Sequence, residues 1–196
     1  MKGMIFLVTI AAAILSGVPV TVDAGEKEDR EAEAAYRAMS PGPHHELFND
    51  LAGMWNAEIT WWEAPGAEPV ERKGRAEYKV ILGGRYLMQQ FEGQMMGMPF
   101  EGVGLSGYDA TTDQHTFVWC DNMGTQMMYS VGKCTDHCKT QTHMATVRHP
   151  MTKQDTRIRM ISRVVDHDKH IFEYYMAIPG AADEWFKSMQ IVYTRS

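Results

Sequence analysis

Leucine, cysteine and positive charge are all scarce in this chain. Only 7 of its 196 residues are leucine, against 16 methionines, so a leucine-rich helical bundle is not expected. The 19 lysines and arginines are outnumbered by 25 acidic residues, which gives a net charge of −6. A general nucleic-acid binder needs a basic surface that displaces counterions, so no nucleic-acid partner is expected. The chain also has no Gly-x-Ser-x-Gly elbow, phosphate loop or His-Glu-x-x-His motif, and no catalytic residue is predicted from such motifs.

The first 24 residues have the layout of a secretory signal peptide. Lys2 precedes the apolar run Met4–Leu15, and Val22-Asp23-Ala24 forms a small-residue cleavage site before Gly25. The run is shorter than the roughly 20 residues that a membrane span needs, although an uncleaved anchor is the alternative. We therefore expect an exported protein, periplasmic or extracellular, without stable membrane insertion.

The rest of the chain divides into a leader and one domain. Residues 25–39 form a polar leader, either helical or flexible, and residues 40–196 are predicted to form a single domain. A short helix is expected at His44–Leu51, and after Gly53 the apolar period changes from 3.6 to 2 residues. Ten strand-like runs separated by turn residues follow: Met54–Trp62, Val70–Leu82, Tyr86–Gln94, Phe100–Tyr108, His115–Asp121, Thr125–Lys133, Lys139–Arg148, Asp155–Val165, His170–Ala177 and Glu184–Arg195.

These runs predict an all-β domain. The connections are too short for parallel crossovers, so the strands should form an antiparallel meander. Ten such strands are expected to close into an up-and-down β-barrel, because closure removes exposed edges. A two-sheet sandwich is the alternative fold. The sequence leaves open whether the barrel is filled with side chains or hollow enough for one small ligand.

A methionine-rich loop suggests an adaptable binding surface. Gln94-Met95-Met96-Gly97-Met98-Pro99-Phe100 joins two strands, and unbranched methionines fill irregular apolar space well. Copper(I) binding by the thioethers is the alternative. We predict a small hydrophobic or amphipathic ligand inside the barrel, with these apolar wall residues and polar contacts: Phe91, Met96, Phe100, Trp119, Met128 and Tyr174, and Asp121, Thr125 and Arg159.

Two of the polar candidates have other interpretations. Asp121 shares a strand face with Trp119 and either is a semi-buried carboxylate or caps a turn. In the first case it could run proton transfer in an isomerase- or hydrolase-type enzyme. Arg159 belongs to an arginine-rich face that either pairs with Glu173 on the next strand or forms an anion pocket.

The cysteines and histidines allow several chemistries, and no cofactor is predicted from them. Cys134 and Cys138 flank a hairpin turn, where they form a local disulfide or remain free thiols, while Cys120 is expected to be a buried thiol. A metal site could instead combine Cys134 and Cys138 with His137 and His143, although their spacing matches no familiar zinc pattern. His143 alone, in mid-strand, could bind haem or a metal. Histidines at predicted turns or strand ends are expected to be solvated: His115, His137, His149, His167 and His170.

Several segments together resemble the domain of unknown function 1579 family, an uncharacterised bacterial family. The resemblance spans about residues 40–196 and rests on these segments: Ser40-Pro41-Gly42-Pro43-His44-His45-Glu46-Leu47, Leu51-Ala52-Gly53-Met54-Trp55, Leu82-Gly83-Gly84-Arg85-Tyr86, Met95 to Gly102, Gly107-Tyr108-Asp109, Trp119 to Thr125, and Tyr193-Thr194-Arg195. The three cysteines do not belong to this pattern.

The resemblance implies a lipocalin-like, or calycin-like, barrel. In calycins a Gly-x-Trp motif opens the first strand, and an arginine from the last strand packs over the indole. Gly53, Trp55 and Arg195 fit these structural roles, and their contact would be a cation–π stack at one end of the barrel. The family has no settled activity to carry over.

Overall fold

The computed structural model describes residues 22–149, 152–181 and 183–196. The predicted signal peptide therefore lies outside the described residues, apart from Val22–Ala24. Within the described ranges, no helix has both the length and the apolar character that a membrane crossing requires. The described residues divide into two units, one that ends at Ala35 and one that spans Tyr36–Ser196.

The polar leader is helical. Helix α1 runs from Val22 to Met39, and its side chains from residue 25 to residue 39 are exposed. Two ion pairs at i,i+4 spacing lie on its surface, Arg30 with Glu26 at 2.9 Å and Lys27 with Glu31 at 3.8 Å. Such exposed pairs support a helix by only a few tenths of a kcal/mol each.

The second unit contains one short helix followed by ten strands. Helix α2 spans Pro43–Leu51, and proline at its start suits a position whose N–H has no partner within the helix. The strands are β1 Gly53–Trp61, β2 Val70–Ile81, β3 Tyr86–Met95, β4 Met98–Asp109, β5 Gln114–Asp121, β6 Met128–Thr135, β7 Thr140–Arg148, β8 Asp155–Asp166, β9 Lys169–Ala177 and β10 Trp185–Arg195.

The ten strands close into an antiparallel up-and-down barrel. Each strand pairs with the next along the chain, and β1 closes the sheet by pairing with β10 from Trp55↔Arg195 to Trp61↔Met189. The predicted fold class is confirmed, and the two-sheet sandwich is excluded. β6 starts three residues later than predicted, because residues 125–127 belong to a loop in which Gln126 donates a hydrogen bond to the Arg148 carbonyl.

Side chains that face the barrel interior occur at every second residue, as the alternating sequence pattern predicts. Trp55 and Ala57 on β1 are buried, as are Ile158 and Met160 on β8. Helix α2 lies across one end of the barrel, where Phe48 packs into the main core cluster with Trp55. The Trp55 indole N–H donates to the Leu51 carbonyl at 2.9 Å, so the helix and the first strand are joined directly.

The end of the barrel near α2 has the calycin-type contact that the resemblance implies. The Arg195 guanidinium carbon lies 4.3 Å from the centroid of the Trp55 ring. The same guanidinium donates to the carbonyls of Ala52 and Asp50, at 3.0 and 2.7 Å. Gly53 adopts φ +126°, and a Cβ there would lie 3.0 Å from the Arg195 Nη1. Glycine thus permits both the backbone turn and the approach of the arginine.

Candidate ligand-binding cavity

The barrel is hollow. It encloses a cavity of about 1010 Å³ whose lining includes Leu47, Phe48 and Leu51 of α2. At the opposite end the lining reaches the loops that join β3 to β4 and β5 to β6. Met96 and Met127 in those loops line the cavity yet are 75% and 68% exposed, so the cavity is accessible to solvent there.

One side of the cavity is a connected series of aromatic rings. Phe91 meets Phe100 edge to face at 5.9 Å, and Phe100 and Phe117 each stack on Trp119, with centroids 6.5 and 6.3 Å apart. A glycine makes room for the indole, because a Cβ added at Gly102 would overlap the Trp119 ring. The position of this aromatic wall therefore depends on the absence of a side chain on the adjacent strand.

Most of the predicted ligand-binding residues line this cavity. Phe91, Phe100, Trp119, Met128 and Tyr174 belong to its wall, and Met96, Asp121 and Thr125 lie toward its exposed end. The methionine-rich loop thus forms part of the cavity entrance. Its side chains are arranged around an apolar opening, which favours the adaptable-surface interpretation.

Asp121 combines the two roles that the sequence left open. Its Oδ2 accepts a hydrogen bond from the Trp119 indole N–H at 2.9 Å, and its Oδ1 accepts one from the Met123 backbone N–H at 3.0 Å. The first bond orients a wall residue, and the second caps the turn that follows β5. Since both carboxylate oxygens already accept hydrogen bonds, this geometry supports a positioning role.

Arg159, predicted as a polar contact of the ligand, is not among the residues that line the cavity. Its neighbours Ile158 and Met160 are buried inside the barrel, so alternation turns Arg159 to the outer face. There its guanidinium carbon lies 4.8 Å from the Tyr175 ring and 4.7 Å from the Trp185 ring.

The arginine–glutamate pairing that was expected on this face is made by Arg163, four residues along β8 from Arg159. Arg163 Nη2 lies 2.7 Å from Glu173 Oε2, and Lys187 Nζ lies 3.2 Å from Glu173 Oε1. Glu173 is itself buried, and a buried carboxylate requires such donors. The arginines on the outer face of β8 are therefore paired with a glutamate or packed against aromatic rings.

His143 contributes a polar group to the cavity wall. Its Nδ1 lies 3.3 Å from Ser130 Oγ, and its Nε2 lies 3.4 Å from Gln141 Oε1. Burial lowers the pKa of His143 to about 4, so the ring is neutral at pH 7. The mid-strand position on the same face as Gln141 was the sequence signal for this placement.

His170 was expected to be solvated but is buried in the cavity wall near α2. Its ring stacks on Tyr193, with centroids 4.3 Å apart, and meets Trp55 edge to face at 4.6 Å. Burial, assisted by the nearby charge of Arg195, lowers the pKa of His170 to about 3. Its Nε2 has no hydrogen-bond partner among the described residues. A position at a strand end looked exposed in the sequence, because α2 covers that end only in the folded chain.

A small polar network lies beside His170. Gln89 Nε2 donates to the Tyr193 hydroxyl at 3.2 Å, and burial raises the pKa of Tyr193 to about 12. Tyr78 packs against both Tyr193 and His170. These groups are uncharged at pH 7, so this part of the cavity offers hydrogen bonds without a fixed charge.

The cysteines are arranged only partly as expected. Cys134 and Cys138 form a disulfide, while Cys120 is a free, half-buried thiol on the outer face of β5 rather than a fully buried one. The ring nitrogens near the disulfide sulfurs belong to His44 and His115. The predicted partners His137 and His143 are not in this group, and His115, expected to be solvated, is buried.

Comparison with known proteins identifies the family. The chain belongs to the family described as Protein of unknown function (DUF1579), whose model matches residues 40–195. Among solved structures it is similar to Rv2717c from M. tuberculosis, with 16% identity, a TM-score of 0.59, and coverage of 80% of this chain and 99% of that one. At this identity the likeness concerns the fold alone.

A redesigned β-barrel also matches, with 11% identity, a TM-score of 0.41, and coverage of 76% of this chain and 94% of that one. That score supports no further conclusion. No curated protein matches the chain.

Proposed function

We propose that this protein binds one small hydrophobic or amphipathic molecule inside its barrel. The observation that carries the proposal is the cavity of about 1010 Å³, whose lining includes many aromatic, methionine and aliphatic side chains. Ligand pockets typically measure about 300–1,000 Å³ and combine an apolar lining with a few polar groups. The cavity is at the upper end of that range.

The polar groups of the wall indicate the character of the ligand. His143 and His170 are neutral at pH 7 because burial lowers both pKa values, and Gln89 carries no charge. The lysine and arginine residues of the lining are exposed, so an anion buried beside these neutral groups would lose its hydration at a large cost in free energy. An uncharged polar group on a mainly apolar molecule suits this environment better.

The size of the cavity sets an expected affinity. A ligand of about 25 non-hydrogen atoms, at roughly −0.3 kcal/mol per atom, would bind with about −7 to −8 kcal/mol. That free energy corresponds to a dissociation constant of a few micromolar. The low-micromolar range is therefore where a generic apolar probe should be titrated first.

A cavity-blocking variant tests the proposal. Ser162 lines the cavity on β8, and Ser162→Trp places an indole inside it. Thr142 lies exposed on the neighbouring strand β7, so Thr142→Trp adds the same side chain to the outer face. Titration with N-phenyl-1-naphthylamine, an uncharged apolar fluorescent probe, should show binding to the wild type and to Thr142→Trp, and at least ~10-fold weaker binding to Ser162→Trp. Equal binding by the two variants would show that the probe does not occupy the cavity.

A haem or metal carrier using His143 is a second candidate, favoured by the position of its neutral ring in the cavity wall. Haem iron takes a neutral histidine as an axial ligand. The visible absorbance of the purified chain tests this candidate. A haem absorption band in the purified wild type that is absent from His143→Ala would support it. A wild type that is colourless as purified and does not shift the Soret band of added haem would contradict it.

Export is also part of the proposal, resting on the signal-peptide-like pattern of residues 1–24. N-terminal sequencing of the chain recovered from its native cell should start at Gly25. A chain that retains Met1 and stays with the cytoplasmic fraction would contradict export.

A further inference from the structure

A cluster of two histidines and two cysteines lies beside α2, away from the aromatic wall of the cavity. His44 comes from α2, His115 from β5, Cys134 from the end of β6, and Cys138 from the turn before β7. One potential ligand atom from each residue lies within 4.8 Å of all the others. Separate segments of the chain thus bring four metal-binding side chains to one point.

The nitrogen–nitrogen and sulfur–nitrogen distances in this cluster are close to those of a tetrahedral ion site. His44 Nδ1 and His115 Nε2 are 3.3 Å apart, and three sulfur–nitrogen distances are 3.2, 3.7 and 3.9 Å. With Zn–N bonds of about 2.0 Å and Zn–S bonds of about 2.3 Å, tetrahedral geometry requires about 3.3 Å between nitrogens and about 3.5 Å between sulfur and nitrogen. The two sulfurs are bonded to each other in the disulfide, and after reduction they must move to about 3.8 Å apart to complete the tetrahedron.

The histidines are held in this orientation by their surroundings. The His44 ring stacks on Tyr108 with centroids 4.0 Å apart and an interplanar angle of 9°, and His115 is buried against the same tyrosine at 5.0 Å. Side chains fixed in this way lose little conformational freedom when they bind an ion.

We infer that the reduced chain binds one Zn²⁺ ion through His44, His115, Cys134 and Cys138. Two thiolates and two imidazoles are the ligand set of structural zinc sites. All four positions of the tetrahedron are supplied by the protein, so the site is structural rather than catalytic. The inference does not rest on the proposed ligand, although Cys138 also lines the cavity.

Zinc binding and the Cys134–Cys138 disulfide exclude each other, because both use the same two sulfurs. Cysteines enter the chain as thiols, and zinc binding converts the two thiols into thiolates with release of two protons. Oxidation to the disulfide instead removes two electrons and two protons. A phosphine reductant reverses this oxidation: it donates two electrons to the disulfide, takes up the oxygen of one water molecule as phosphine oxide, and leaves two thiols.

The bound ion would connect α2 to the barrel wall. His44 lies 71 residues before His115 and 94 before Cys138, so one ion links distant parts of the chain. Binding to the folded but not the unfolded chain raises the melting temperature. Zinc should therefore stabilise the reduced protein and have little effect on the oxidised protein.

The experiment uses the full chain, reduced with tris(2-carboxyethyl)phosphine and freed of metal. Zinc content after exchange against a chromophoric chelator should be one ion per reduced chain, and close to zero for the oxidised chain. Cobalt(II) in place of zinc should give the thiolate-to-cobalt and ligand-field absorption of a tetrahedral site. Cys138→Ser and His44→Ala should each weaken zinc binding by on the order of 100-fold or more.

Matched controls come from the same region and the same residue types. His137→Ala alters the histidine next to Cys138, and Cys120→Ser removes the free thiol, and both variants should bind zinc as the wild type does. The inference is overturned if the reduced wild type binds zinc no better than the oxidised chain. It is also overturned if His137→Ala weakens binding as much as His44→Ala. The cobalt spectrum of the wild type provides a test that needs no variant to fold.

Discussion

Removal of the Arg195 side chain should destabilise the barrel more than the loss of any ordinary surface arginine. Its guanidinium donates to the carbonyls of Ala52, Asp50 and His167, at 2.7–3.2 Å. It also lies 4.3 Å from the Trp55 centroid. The side chain is only 23% exposed, so water replaces these contacts incompletely after truncation.

The expected magnitude follows from these contacts. Three carbonyl partners at about 1 kcal/mol each and a cation–π stack of about 1 kcal/mol give a loss of about 4 kcal/mol for Arg195→Ala. At about 2–4 °C per kcal/mol for a chain of this size, the melting temperature should fall by about 8–16 °C. Arg195→Lys should lose most of this stability as well, because a single ammonium cannot reach three carbonyls.

Thermal and urea unfolding, followed by circular dichroism, provide the measurement. Arg148→Ala is the matched control: Arg148 pairs with Asp155 at 2.8 Å, but its side chain is 61% exposed, and such pairs contribute only about 0–1 kcal/mol. A decrease in stability for Arg195→Ala no larger than for Arg148→Ala would refute the assignment of Arg195 as the residue that holds this end of the barrel together.

Two further predictions concern buried groups. Burial lowers the pKa of His143 to about 4 and that of His170 to about 3, so between pH 6.5 and about 4 the unfolded chain takes up protons that the folded chain does not. Stability should therefore fall as the pH drops through this window, by about 3 kcal/mol for His143 alone. In urea unfolding, the stability of His143→Gln should depend less steeply on pH than that of the wild type. An equally steep dependence would show that His143 is not its cause. Gly102→Ala, whose Cβ would overlap Trp119, should cost about 1–3 kcal/mol and alter indole fluorescence. Gly124→Ala, where the nearest atom is 4.0 Å away, should do neither.

The barrel could be predicted because its signals are local. Alternating apolar residues and turn residues within each hairpin determine strands that pair with their neighbours in the chain. The largest displacement of a strand boundary, three residues at the start of β6, depends on the side-chain bond from Gln126 to the Arg148 carbonyl. That bond joins residues 22 positions apart, and no pattern within residues 125–127 indicates it.

The cavity was predicted less completely, because alternation defines two faces without saying which one turns inward. The aromatic residues were assigned to the interior on their apolar character, and the structure places them in the cavity lining. Arg159 was assigned by its polarity alone, and the burial of Ile158 and Met160 turns it outward. A shift of one residue along a strand moves every side chain to the opposite face, so the sequence alone does not determine the face on which Arg159 lies.

The histidine–cysteine cluster could not be predicted from local sequence patterns, because its residues come from distant parts of the chain. Cys134 and Cys138 are close in the chain, and their proximity was expected. His44 joins them because α2 folds back across the end of the barrel, and His115 joins them through the pairing of β5 with β6. Neighbouring histidines in the sequence, such as His137, were therefore the wrong partners.

Mass spectrometry of the small molecules released by denaturing the purified chain tests ligand binding most directly. The protein should be recovered from its native compartment as the wild type, Ser162→Trp and Thr142→Trp. We expect a hydrophobic or amphipathic molecule in near-stoichiometric amount from the wild type and Thr142→Trp, and its loss from Ser162→Trp. Release of nothing from the wild type, or of the same molecule in equal amount from Ser162→Trp, would contradict a ligand-binding barrel.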